Sequence, residues 1–87
     1  MKLVFWPSAW ADYLLWQSDW RGLERVNVLL KECMRDPFRG IGKPEPLGGN
    51  LQGWWSRRIN QEHRLVYRVT GKGDAQALEV AQCRYHY

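Results

Sequence analysis

Residues 38–53 constrain this chain more than any other stretch. Gly40, Gly42, Pro44, Pro46, Gly48, Gly49 and Gly53 fall within these sixteen positions and exclude a long regular element. Helical patterning lies before the stretch and strand patterning after it. With 87 residues there is no room for a second core, so the two parts must pack on one another as a single domain, 1–87. A chain of this length buries only roughly 60–65% of the surface its unfolded form exposes. Its core therefore needs large side chains, and six tryptophans supply them. Each indole N–H also wants a partner, so some of these rings are expected at an interface.

Residues 2–6 are rich in branched and aromatic side chains and predict a short strand. Pro7 and Ser8 suit a helix start, and Trp10, Tyr13, Leu14 and Gln17 share one stripe, predicting a helix over 8–18. Asp19 can cap a second helix, in which Leu23, Val26, Leu30, Cys33 and Met34 recur at three- and four-residue spacing. Asp36-Pro37 ends it, because the residue before proline avoids helical angles. So short a joint predicts an antiparallel helical hairpin. Beyond the loop, strands are expected over 54–59, 64–70 and 78–86, with turns over 60–63 and 71–74. The order β-α-α-β-β-β is an α+β pattern.

Loops as long as 38–53 are uncommon inside compact domains and are more often functional than accidental. This one holds Glu45 between two prolines, which restrict where its carboxylate can go. The strands supply cations: Arg57 and Arg58 on one, Arg64 on the next, Arg84 with His86 on the last. Alternation puts Arg57 and Arg58 on opposite faces, and Arg84 and His86 on one face of the final strand. If the loop folds over the sheet, a carboxylate, several guanidinium groups and an imidazole meet in one concave patch. Metal-free RNA cleavage needs such a set: a base for the ribose 2′-OH, an acid for the leaving 5′-oxygen, and cations on the phosphate. Arginine's planar fork matches phosphate oxygens, and histidine suits proton donation near neutral pH.

The residues alone leave a second reading open. Arginines on strands commonly form a solvated face, and Arg57 or Arg84 could pair with Glu62 or Glu79. Trp54-Trp55 could be core, a stacking platform for bases, or a partner's anchor. His63 reads as a turn or supporting residue, and two histidines with two scattered cysteines make no metal site. The net charge of +4 favours an anionic partner. Pro7 and Asp12 interrupt the apolar start, so neither a secretory leader nor a membrane span is expected. A cytoplasmic setting with Cys33 and Cys83 as free thiols follows. On these grounds the chain is a basic α+β domain suited to nucleic acid, with no defined reaction.

A resemblance goes further. Gly42-Lys43-Pro44-Glu45-Pro46-Leu47, Asn50-Leu51 and Trp55-Ser56-Arg57-Arg58-Ile59 are followed by Glu62-His63-Arg64-Leu65-Val66-Tyr67 and Cys83-Arg84-Tyr85-His86-Tyr87. With Met1-Lys2-Leu3, Trp10, Asp12-Tyr13-Leu14 and Trp16-Gln17, these motifs resemble the YoeB toxins of the RelE superfamily along nearly the whole chain. The resemblance implies a small curved antiparallel sheet backed by an N-terminal helical hairpin. It also implies a metal-independent, cofactor-free endoribonuclease that cuts mRNA in the ribosomal A site and is held inactive by a YefM/Phd-type antitoxin. A homodimer is a further implication. By position, Glu45 matches the general base, His86 the general acid and Arg64 the main phosphate-stabilising cation. Arg58 matches a second arginine, and Tyr87 the C-terminal residue bordering the site. Arg57 and Arg84 complete the expected phosphate-binding set.

Two departures stand out. Gly48-Gly49 occupies positions where the family tends to carry lysine then histidine, which removes a cation and loosens the loop. The 71–76 connection is slightly longer than usual. A non-catalytic RNA- or ribosome-binding inhibitor is the alternative: it would need the arginines but neither Glu45 nor His86.

Overall fold

The computed structural model describes residues 1–85. Strand β1 (Lys2–Phe5) leads into helices α1 (Pro7–Trp16) and α2 (Trp20–Arg35). Four strands follow: β2 (Glu45–Pro46), β3 (Trp55–Arg58), β4 (Arg64–Thr70) and β5 (Ala77–Gln82). They form one sheet in the order β1-β5-β4-β3-β2. The α+β class and the helical hairpin agree with the expectation, and two details of the sheet do not. β1 runs parallel to β5, so the sheet is mixed, whereas β2, β3, β4 and β5 pair antiparallel in succession. Within the long loop, Glu45 and Pro46 form a short edge strand on β3. Residue pattern says nothing about strand direction; β1 takes its direction from the hairpin that follows it.

That hairpin joins the two edge strands, β1 and β2, and therefore crosses one face of the sheet. Val26, Leu29, Leu30 and Cys33 of α2 pack with Ala9 and Trp16 of α1 against Leu65, Tyr67, Leu78 and Val80. Leu23 and Met34 flank this core, and Leu29 joins the stripe read from the sequence. Burying each of these large aliphatic side chains contributes about 1.5–3 kcal/mol. Asp19 caps α2, its Oδ1 accepting from the Gly22 N–H at 3.1 Å. A Cβ at Gly22 would stand 2.1 Å from the Trp16 ring, so only glycine lets α2 begin so close to α1. Trp16 is buried, and its Nε1 donates to the Cys83 carbonyl at 2.7 Å.

α1 ends two residues earlier than expected, at Trp16, and β5 ends at Gln82 instead of continuing through 86. Residues 83–85 form bends, and Tyr85 has φ +60°. The expected shared face for Arg84 and His86 therefore fails for Arg84, because strand alternation stops before it. His86 itself lies outside the described residues. No described helix is long and apolar enough to cross a membrane.

Candidate active site

The sheet face opposite the helices collects the polar residues. Glu45 stands opposite Ser56, and Arg58 opposite Arg64. Ser56 and Arg58 are two residues apart on β3 and so point the same way. Glu45, Arg58 and Arg64 consequently share one face. Diagonal neighbours across an antiparallel pair lie about 7–8 Å apart, which is the expected Cα separation of Glu45 and Arg58. One strand further over, Arg64 is on the order of 12 Å from Glu45, given the usual strand spacing and rise.

Among the described residues, the charges there are left unbalanced. Like charges directly opposite one another destabilise a strand pair by roughly 0.2–1 kcal/mol. Glu45 and Arg58 are exposed, and among the described residues neither side chain has an ion pair or hydrogen bond within the chain. Arg64 is half-buried, and one guanidinium nitrogen, Nη1, donates to the carbonyls of Asn60 at 2.7 Å and His63 at 3.0 Å. These bonds orient the guanidinium without neutralising it. Its remaining N–H groups can meet an anion.

At the other end of the same face, the charges are matched. Arg68 pairs with Glu79 at 3.0 Å and stacks on Trp54, its Cζ 4.5 Å from the ring centre. Glu79 also accepts from Trp6 Nε1 and Thr70 Oγ1, each at 3.0 Å. These bonds, the indole N–H foremost, hold the Glu79 carboxyl below its ordinary pKa. Trp54 meets Trp6 edge to face, and Trp55 packs against Phe38 near the core. Both rings of the pair are thus engaged within the fold.

Arg57 must be taken out of the expected phosphate-binding set. It is fully buried on the helix side. Its Nε donates to the Tyr67 hydroxyl at 3.1 Å, Nη1 to the Ile41 carbonyl at 3.1 Å, and Nη2 to the carbonyls of Asp36 and Arg39. The hydroxyl of Tyr67 donates in turn to the Pro37 carbonyl at 2.6 Å. Arg57 therefore fastens the chain between α2 and β2 to the sheet, and its fork is occupied by backbone. Arg84 lies over the rings of Trp16, at 5.9 Å, and Tyr85, at 4.9 Å. The surface pairs considered for Arg57 and Arg84 are absent among the described residues; Glu79 pairs with Arg68, and Glu62 with His63.

The expected acid, His86, and Tyr87 lie outside the described residues. The segment before them is firmly held. Asp12 Oδ2 accepts from the Cys83 N–H at 3.0 Å, and Trp16 donates to the Cys83 carbonyl. Asp12 and Trp16 carried no chemical signal of this role in the sequence, since their partners are about 70 positions away. Burial pushes the Cys33 thiol up to about 11 and Cys83 to about 12, so neither offers a thiolate nucleophile near neutral pH.

Residues 5–87 match the model of the YoeB-like toxins of bacterial type II toxin–antitoxin systems. Toxin YoeB of Escherichia coli K12 is 53% identical over 88 residues, covering all of both chains. A YoeB/ParE toxin from Agrobacterium tumefaciens superposes with a TM-score of 0.96 at 57% identity, again over all of both chains. YoeB of Staphylococcus aureus, solved in a heterotetrameric complex with YefM, gives 0.85 at 45% identity over 100% of this chain and 98% of that one. A YoeB of Staphylococcus aureus has also been solved as a dimer. On sequence, fold and the position of its motifs, the chain belongs to the YoeB-like toxins of type II toxin–antitoxin systems.

Proposed function

We propose that this toxin is a metal-independent, ribosome-dependent endoribonuclease that cleaves mRNA in the A site. The observation that carries the reading is the Arg58–Arg64 pair, which has no counter-ion among the described residues, with Glu45 on the same outer face. Opposed cations without a counter-ion are costly to keep, and an incoming phosphate relieves that cost. Glu45 takes the proton from the ribose 2′-OH as its oxygen attacks phosphorus. Arg64 and Arg58 hold the charge that builds on the equatorial oxygens. The bond from phosphorus to the 5′-oxygen breaks, and His86 donates a proton to that oxygen. The products are a 2′,3′-cyclic phosphate and a 5′-hydroxyl. Tyr87 borders the site, and the ribosome supplies the alignment of the strand.

The staphylococcal complexes support a YefM-type antitoxin as partner and self-association as a second state, in the cytoplasm where ribosomes are. The test is cleavage by translating ribosomes with mRNA ends mapped by primer extension, comparing wild type, Glu45→Gln and His86→Ala. Discrete A-site cuts that weaken about 10²- to 10⁴-fold in each variant are expected. Translation arrest with intact mRNA in all three would replace the nuclease with an occupancy inhibitor.

A further inference from the structure

Tyr85 belongs to no strand, yet both its backbone polar groups are engaged. Its carbonyl accepts the Arg64 N–H at 3.0 Å, and its own N–H donates to His63 Nδ1 at 2.7 Å. The residue sits at φ +60°, a region that persists in a non-glycine residue only where its surroundings impose it. The imidazole that receives it is well fixed. His63 is buried, meets Trp16 edge to face at 5.1 Å, and holds Nε2 3.1 Å from Glu62 Oε1. A ring nitrogen that accepts an N–H carries no proton, so the proton of neutral His63 is on Nε2, the nitrogen nearer Glu62. The ring therefore accepts through Nδ1 and keeps its own proton on the far side.

The turn that carries His63 also orients Arg64, through the carbonyls of Asn60 and His63. Asn60 shapes that turn, its Oδ1 accepting from the Glu62 and His63 N–H groups at 2.9 and 2.8 Å. One short turn thus sets the phosphate-binding arginine and seats the residue joined to His86 by a single peptide bond. We infer that His63 is a positioning residue: its Nδ1 docks the C-terminal segment at Tyr85 and so registers the acid-bearing end against Arg64. The inference rests on the nuclease reading for its catalytic consequence, but not for the docking itself.

Two substitutions separate the nitrogens of His63. His63→Asn keeps an acceptor near the Nδ1 position and gives up the contact with Glu62. His63→Gln keeps a donor near the Nε2 position and removes the acceptor facing Tyr85. Amide exchange by NMR should show Tyr85 protected in wild type and His63→Asn, and exchanging about tenfold faster or more in His63→Gln. In the ribosome assay, kcat should fall about 10²-fold in His63→Gln with KM little changed, and recover in His63→Asn, since an ångström of misplacement has that effect. In wild type, long-range ¹⁵N–¹H spectra should report the Nε2–H tautomer, a reading that requires no variant to fold. The Nδ1–H tautomer, or equal Tyr85 protection in Asn and Gln variants, overturns the docking. Faster exchange in His63→Gln with unchanged kcat overturns its role in catalysis. Arrest without cleavage in wild type overturns the nuclease reading and with it the catalytic part, while the amide data still decide the docking.

Discussion

Arg57 and Arg58 are neighbours on one strand with the same side chain, and the fold gives them opposite roles. Arg57 turns toward the helices, where the carbonyls of Asp36, Arg39 and Ile41 and the Tyr67 hydroxyl surround its guanidinium. Arg58 turns outward, opposite Arg64, with no such partners among the described residues. A third arginine, Arg68, shares the outer face but has Glu79 and Trp54. A strand arginine thus holds the fold where backbone oxygens fill its fork, and is available to a ligand where nothing does. Of the three, only the unmatched Arg58, beside Arg64, marks the candidate site.

The largest effect that would break this contrast is on stability. Arg57→Ala removes the donors that three backbone carbonyls and a buried hydroxyl share, and should cost about 3–5 kcal/mol in urea unfolding. Arg58→Ala in the same experiment should stay within about 0.5 kcal/mol, because relief of the repulsion with Arg64 offsets what little packing is lost. Similar losses for both would show that Arg58 is as structural as Arg57.

Tyr67→Phe sharpens the comparison from the other side of the pair. It deletes the hydroxyl that accepts from Arg57 and donates to Pro37, and the midpoint of chemical unfolding should drop by the equivalent of about 1–3 kcal/mol. Ribosome-dependent cleavage should persist where the variant is folded. A variant as stable as wild type would mean that water takes the place of the hydroxyl in the Arg57 network.

The smallest effect concerns the matched end of the outer face and appears with pH. The folded carboxyl of Glu79 titrates below its ordinary value of 4.5, chiefly through the Trp6 indole N–H and then Arg68 and Thr70. A depressed folded pKa adds stability above the ordinary value, which is lost as pH falls through the folded one. Stability measured downward from pH 5 should therefore decline less steeply in Glu79→Gln than in wild type. Parallel acid limbs would show that the Trp6–Arg68–Glu79 cluster adds nothing to folding.

Much of this architecture is legible in the residues because it depends on near neighbours in the chain. The stripe through Val26, Leu30 and Cys33, the Asp19 cap, the stop at Asp36-Pro37 and the alternation of Leu65, Tyr67 and Val69 are local signals, and all appear in the fold. The loop residues around Glu45 and the Trp-Ser-Arg-Arg-Ile run were enough to resemble a family to which the chain belongs. The candidate site was legible in part: Glu45, Arg58 and Arg64 do share a face. Arg57 was misassigned because alternation separates two faces without saying which one the helices cover. Arg84 was misplaced because the end of β5 depends on contacts with α1, through Asp12 and Trp16.

By itself, then, the sequence determined where α2 begins and ends, which side chains alternate on β4, and which family's motifs the chain carries. Those properties follow from backbone sterics, capping and spacing within a few residues. The tertiary structure alone decided that β1 runs parallel to β5, that Glu45 sits on an edge strand, that Arg57 is a clamp, and that His63 meets Tyr85. Each depends on groups far apart in the chain whose approach is fixed only when the hairpin closes over one face of the sheet. Until then the two adjacent arginines are chemically equivalent.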